Sequence, residues 1–180
     1  MSFLLFPDLM FDRYDELTPD YLKQKGIRLL LSDLDNTLAL HETARPTEAV
    51  RAWIQALSDA GIQVMIVSNN RKPDRVRAYC HDLGIPYVGH AGKPKRGRLL
   101  EAMRRFDAVP ETTALLGDQI FTDVLGARRC GFWSFCVEPI CGRDSLWHWT
   151  AYWLQNPFRL PARCRRRQEL RSGRALRGKK

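Results

Sequence analysis

Apolar runs recur along this chain in a fixed relation to polar residues. Leu29-Leu30-Leu31 runs into Ser32-Asp33-Leu34-Asp35-Asn36-Thr37, and Val64-Met65-Ile66-Val67 runs into Ser68-Asn69-Asn70. Ala114-Leu115-Leu116 runs into Gly117-Asp118-Gln119, with Asp123 five residues on, and a shorter apolar stretch precedes Gly92-Lys93-Pro94. Short, nearly continuous apolar runs flanked by turn residues are the pattern of parallel strands buried on both faces. The runs predict strands over 27–34, 62–68, 86–89, 113–117 and 132–137.

Between them the periodicity changes to that of helices. Val50, Ile54 and Leu57 share one face of a segment from Thr47 to Ala60, with Pro46 at its start and Gly61 just past its end. Pro73 to Leu83 ends at Gly84, and Pro94 to Phe106 carries Leu99, Leu100 and Met103 on one side. Alternating strands and helices predict an α/β fold, a doubly wound parallel sheet in a single domain, which a chain of 180 residues can build around a sizeable core. The expected organisation is an α/β domain over 1–141, an aromatic-rich segment over 142–158 and a flexible polybasic tail over 159–180.

Strands of this kind deliver their last residues to the carboxyl edge of the sheet, where ligands bind. Asp33 and Asp35 at one such end repel each other and cost desolvation energy, and a bound cation is the simplest thing that makes them tolerable. Taken singly, each polar residue has a bland reading. The Asp-x-Asp can be a solvated turn, Ser68 a strand-end turn, Lys93 a surface lysine, and Asp123 a cap for the segment Val124 to Arg129. Carboxylates, a hydroxyl and a cation at successive strand ends favour a joint site over a set of coincidences.

The order Asp33-Leu34-Asp35-Asn36-Thr37, Ser68, Lys93, Gly117-Asp118-x-x-x-x-Asp123 resembles the four motifs of the haloacid dehalogenase (HAD) superfamily. Leu5-Phe6-Pro7-Asp8-Leu9, Val67-Ser68-Asn69-Asn70, Gly117 to Gly126 and Val137-Glu138-Pro139-Ile140 look like its capless third class, the YqeG-type phosphatases, and the likeness covers roughly residues 4 to 141. It implies phosphoryl transfer through an aspartyl-phosphate on Asp33. It implies Mg²⁺ held by the Asp33 and Asp118 side chains, with the main-chain carbonyl at Asp35 and with Asp123 alongside. Ser68 and the main chain near Asn69 and Asn70 would bind phosphate, Lys93 would neutralise it, and Asp35 would act as acid and then base. An acid at that position goes with hydrolysis. The short stretch from Thr37 to Thr47 leaves room for a flap rather than a lid domain, so the site would be open to a large substrate or to a covering partner.

Charge sharpens the picture at one end only. The chain has 29 Lys and Arg against 20 Asp and Glu, a formal net charge of +9. Residues 159–180 contain ten of the basic residues and only Glu169 on the acidic side, so they account for the whole excess. Just upstream stand Trp147, Trp149, Tyr152, Trp153 and Phe158. Aromatic residues beside a polybasic stretch suit an anionic membrane surface; an arginine-rich tail also suits RNA; and a solvated tail with no partner fits the same composition. No run is long and apolar enough for a membrane span, and five cysteines without a C-x-x-C pair suggest reduced thiols in a cytoplasmic protein. If the tail binds lipid, the protein would be peripheral at the inner face of the membrane. Together these point to a Mg²⁺-dependent phosphomonoesterase for a lipid head group such as phosphatidylglycerophosphate. The alternatives are a phosphatase for a soluble nucleotide, sugar phosphate or phosphoprotein, and a phosphatase-like module binding RNA or a ribonucleoprotein.

Overall fold

The computed structural model describes residues 4–70, 72–140 and 146–177, with side chains described outside 146–153 and 170–177. Six parallel strands form one sheet: β1 (Leu9–Phe11), β2 (Leu29–Ser32), β3 (Gln63–Val67), β4 (Tyr87–Val88), β5 (Thr113–Gly117) and β6 (Trp133–Val137). Their spatial order is β1-β6-β5-β2-β3-β4. The chain therefore starts the main sheet at its centre with β2, winds outward to β4, and crosses back to β5 on the other side of β2. That reversal is the topological switch at which open α/β sheets bind ligands.

The two faces of the sheet are covered as the alternation of side chains requires. Leu30, Leu34, Val64, Ile66, Ala114 and Leu116 pack against α2 (Glu48–Asp59) and α3 (Pro73–Leu83), through Val50, Trp53, Ile54, Leu57, Val76 and Tyr79. Leu29, Leu31, Met65, Val67 and Leu115 face the opposite way, onto Leu99, Ala102 and Met103 of α4 (Gly97–Arg104) and onto Ala127 and Cys130 of α5 (Leu125–Cys130). The helix ends carry the expected signals. The Thr47 hydroxyl accepts from the Val50 N–H at 3.3 Å, and Gly84 closes α3 in the left-handed region at φ 68°.

All five expected strands are present, within two residues at each end, and the fourth shrinks to Tyr87–Val88. Near the N-terminus the structure adds a helix and a strand to the expected set. α1 (Pro19–Gln24) is capped by the Thr18 hydroxyl, and β1 adds to the free edge of β6. The larger difference is at the C-terminus. Residues Leu146–Arg177 form one helix, α6, which runs through Pro157 and Pro161. The segment expected as a flexible tail from 159 docks instead on the body over its first half. Ala162 is buried with Met10, Ile120, Val124 and Cys136. Arg165 donates to the carbonyls of Pro7 and Asp8; Arg166 stacks over the rings of Phe11 and Tyr21; Glu169 pairs with Lys25 at 2.6 Å. Cys80, Cys130 and Cys136 are buried free thiols and Cys164 is an exposed one; Cys141 lies outside the described residues. Among the described residues no helix is long and apolar enough to cross a membrane.

Candidate active site

The carboxyl ends of β2, β3 and β5 meet at the switch point. Asp33 follows β2 directly, and its N–H donates to the Leu116 carbonyl at 2.8 Å, which fixes it beside the end of β5. Asp118 follows β5, and Asp123 stands on the turn Ile120–Val124. One carboxylate oxygen from each of Asp33, Asp118 and Asp123 lies within 4.8 Å of the others, and all three residues are buried. Lys93 reaches the same spot from the loop after β4. Its ammonium lies 2.7 Å from Asp33 Oδ1 and 2.6 Å from Asp123 Oδ1, with its side chain 1% exposed. The surface-lysine reading of Lys93 is therefore excluded, as is the cap reading of Asp123. The Asp123 Oδ2 accepts from the Gln119 N–H and the Thr122 hydroxyl of its own turn.

Supporting contacts hold these groups in place. Asn69 forms a reciprocal pair with the main chain of Lys93: its Nδ2 donates to the Lys93 carbonyl and its Oδ1 accepts from the Lys93 N–H, both at 2.9 Å. Ser68 is fully buried at the end of β3, and its Oγ accepts from the Asn70 N–H at 3.0 Å. Gly117 leaves no room above itself. A Cβ there would lie 2.6 Å or less from three side-chain atoms of Asp123. The Asp123 carboxylate thus rests directly on the Gly117 main chain, a contact that only glycine permits.

Asp35 is set apart from the three-carboxylate cluster. Its Oδ1 accepts from Arg75 Nη1 at 2.6 Å and lies 3.2 Å from His41 Nδ1; its Oδ2 accepts from Asn70 Nδ2 at 2.7 Å. Arg75 also donates to the carbonyls of Leu40 and Thr43, so it pins the flap after Thr37 to the first turn of α3. Sequence reasoning named Asp35 but missed Arg75, Asn70 and His41 as its partners, because nothing marks one arginine of a helix out from its neighbours. The cleft in front of these groups has a volume of about 300 Å³ and is lined by Asp33, Asp35, Asn69, Lys93, Gln119 and Asp123, among others.

The electrostatics are unbalanced. Three carboxylates face one buried ammonium, which leaves two negative charges uncompensated when all are ionised. Burial pushes the Asp33 carboxyl up to about 7; Lys93 opposes this and Asp123 adds to it. Burial likewise holds Asp118 well above the usual carboxylate range, with Asp123 and Asp33 adding and the Arg159 guanidinium opposing. Burial alone would lower Lys93, but the charges of Asp123 and Asp33 raise it. Asp118 Oδ1 is buried without a hydrogen-bond partner. An orphaned carboxylate oxygen in an oxygen-only cluster of excess negative charge fits a hard divalent cation such as Mg²⁺.

The comparisons with known proteins agree with this geometry. A family model for haloacid dehalogenase-like hydrolases matches residues 8–131. The chain belongs to the HAD-like hydrolases. The "Probable phosphatase YqeG" of Bacillus subtilis is 34% identical over 140 residues, covering 78% of this chain and 81% of that protein. "Phosphatidylglycerophosphate phosphatase 1, chloroplastic/mitochondrial" of Arabidopsis thaliana is 25% identical over 129 residues, 67% of this chain but only 37% of that longer protein. Among solved structures, the cobalt-bound deoxy-D-mannose-octulosonate 8-phosphate phosphatase of Haemophilus influenzae shares the fold. Its TM-score is 0.53 at 24% identity, covering 72% of this chain and 77% of that one. The capless HAD-like fold is thus that of a phosphatase, and the chain is an enzyme of that class.

Proposed function

We propose that this HAD-like phosphatase is a Mg²⁺-dependent phosphomonoesterase that works through an aspartyl-phosphate, on a lipid head-group phosphate such as that of phosphatidylglycerophosphate. The observation that carries the reaction is the buried cluster of Asp33, Asp118 and Asp123 around the Lys93 ammonium. In the first step an Asp33 carboxylate oxygen attacks phosphorus, and the phosphorus–oxygen ester bond breaks. Asp35 gives its proton to the leaving alkoxide. In the second step a water molecule attacks the same phosphorus, passing its proton to Asp35, and Asp33 is regenerated as phosphate departs. Lys93 offsets the repulsion between Asp33 and the phosphoryl dianion, and the Ser68 hydroxyl donates a hydrogen bond to a phosphoryl oxygen. Asp33, Asp118, Asp123 and the Asp35 carbonyl would hold Mg²⁺, which supplies charge neutralisation for the transferring group.

The lipid substrate is supported by the relatives named for phosphatidylglycerophosphate, which this chain matches over part of their length, by the open cleft, and by the outward side of α6. That side exposes Leu154 (66%) and Leu160 (53%) beside Pro157 and Pro161, and basic residues follow from Arg167 on. An apolar strip continued by positive charge suits an anionic bilayer. The test is phosphate release from a panel of vesicle-borne phosphatidylglycerophosphate, nucleotides and sugar phosphates, with Mg²⁺ and with chelator. Turnover confined to soluble substrates refutes the lipid assignment. Full turnover in excess chelator refutes the cation assignment.

A further inference from the structure

Behind the carboxylate cluster lies a residue that the family model does not reach. Arg159, on α6, is 2% exposed, and its Nη2 donates to the main-chain carbonyl of Asp118 at 2.7 Å. Its Nη1 lies 3.4 Å from Glu138 Oε2, and Arg163 pairs with the other oxygen of the same carboxylate. One turn earlier on the same face, the buried Gln155 accepts through Oε1 from the Ile120 N–H at 2.6 Å. Ile120 opens the turn that carries Asp123. So two buried side chains of α6 grip the main chain at Asp118 and at Ile120, where the loop Asp118–Asp123 leaves β5, and that loop contributes two of the three clustered carboxylates.

We infer that Arg159 and Gln155 are positioning residues for the phosphatase reaction: α6 completes the cation site from behind by fixing the loop that presents Asp118 and Asp123. The physical argument has two parts. A guanidinium this deeply buried needs partners, and here one partner is the carbonyl of a site residue rather than a distant surface group. A fixed positive charge behind Asp118 also offsets the excess negative charge of the cluster, as a remote counter-charge held by the scaffold rather than by the substrate. The C-terminal helix then belongs to the catalytic body as well as to any surface it meets. Removing residues 159–180 should depress turnover of soluble and membrane-borne phosphoesters alike.

This inference rests on the reading of Asp118 and Asp123 as cation ligands, and the test separates the two. Full-length wild type, Arg159→Met, Arg159→Lys and Lys25→Met are compared by Mg²⁺ titration. Two midpoints are read: the Mg²⁺ concentration that half-activates hydrolysis of para-nitrophenyl phosphate, and the one that half-saturates thermal stabilisation. Lys25→Met breaks the Glu169 ion pair that clamps the far end of α6, without touching the loop. It should lower the thermal midpoint yet leave the Mg²⁺ midpoints within twofold. Arg159→Met should raise both Mg²⁺ midpoints at least tenfold, and Arg159→Lys should recover part of the loss. If Arg159→Met fails to fold, Arg159→Lys decides on the same criterion, with a rise of at least threefold expected. Unchanged Mg²⁺ midpoints in a folded Arg159 variant overturn the inference alone, as does an equal shift in Lys25→Met. A wild type that responds to Mg²⁺ in neither assay overturns the cation site and this inference together.

Discussion

The close approach of Gly117 to Asp123 makes a sharp prediction. In Gly117→Ala the new methyl carbon falls 2.6 Å or less from Cβ, Cγ and Oδ2 of Asp123, where ordinary contact begins near 3.4 Å. Gly117 is the last residue of β5, and its pairing with Cys136 of β6 restrains its main chain from retreating. The Asp123 carboxylate must therefore move by roughly 1 Å, away from its hydrogen bonds with Gln119 and Thr122 and from the Lys93 ammonium. A misplacement of about 1 Å costs on the order of 10²-fold in rate, and the overpacking itself costs about 1–3 kcal/mol of stability. Gly97→Ala is the matched control, because nothing lies within 4 Å of a Cβ there and the residue starts α4. That change should be neutral or stabilising by up to about 1 kcal/mol. The assay is initial-rate hydrolysis of a soluble phosphomonoester across a Mg²⁺ series, with thermal melts in parallel. A folded Gly117→Ala enzyme with wild-type turnover would refute the claim that this glycine seats the carboxylate.

Asp33→Asn should fold and lose turnover, because an amide cannot attack phosphorus; near-normal phosphate release would remove Asp33 as nucleophile. Asp35→Asn should slow turnover by about 10²–10⁴-fold while keeping the Mg²⁺-induced thermal shift, since its side chain lies on Arg75 and Asn70 and outside the cluster. Lys93→Met should cost about 3–5 kcal/mol in chelator, the range for stripping one partner from a buried pair, and so lower the thermal midpoint by roughly 6–20 °C. An unchanged melt would mean the ammonium is not buried between Asp33 and Asp123. The pH dependence follows from the raised carboxyls. Asp33 and Asp118 hold protons more tightly folded than unfolded, so without cation the native state loses stability as pH rises from about 4 to the value of about 7 to which Asp33 is pushed, and Asp118 adds in the same direction. The Mg²⁺-induced rise in melting temperature should grow across that window, and a flat increment from pH 4 to 8 would contradict it.

Much of this arrangement was legible in the sequence, for a physical reason. Strands buried on both faces must be apolar along their whole length, so β2, β3, β5 and β6 stand out, and their first polar residues mark the edge where ligands bind. Asp33, Ser68 and Asp118 stand at such strand ends, whereas Lys93 and Asp123 lie farther along their loops and are singled out by the order of the motifs. β1 escaped because Leu9–Phe11 is too short to display a period, and its pairing to β6 depends on contacts more than a hundred residues away. The partners of Asp35 escaped for a related reason. Arg75 and His41 are ordinary surface residue types until the fold turns them toward one carboxylate.

The C-terminus shows where a charge count misleads. Ten basic residues against one acidic residue read as a flexible tail, solvated or free to meet an anionic surface. A charge count along the chain cannot see acceptors that lie elsewhere in the sequence. Glu16, Glu138 and the carbonyls of Pro7, Asp8 and Asp118 converge on Arg159, Arg163, Arg165 and Arg166 only once the sheet has formed. The arginines thereby serve two balances at once. They satisfy main-chain carbonyls at the edge of the sheet, and they set positive charge behind a cluster that is short of it. A fold that concentrates buried carboxylates for chemistry loses stability where it does so, and the compensation must come from outside the cluster. In this protein Lys93 within the cluster and Arg159 behind it supply part of the compensation, and the negative charge that remains suits a divalent cation. The basic excess of the chain is therefore in part a property of the active site, through the buried guanidinium of Arg159.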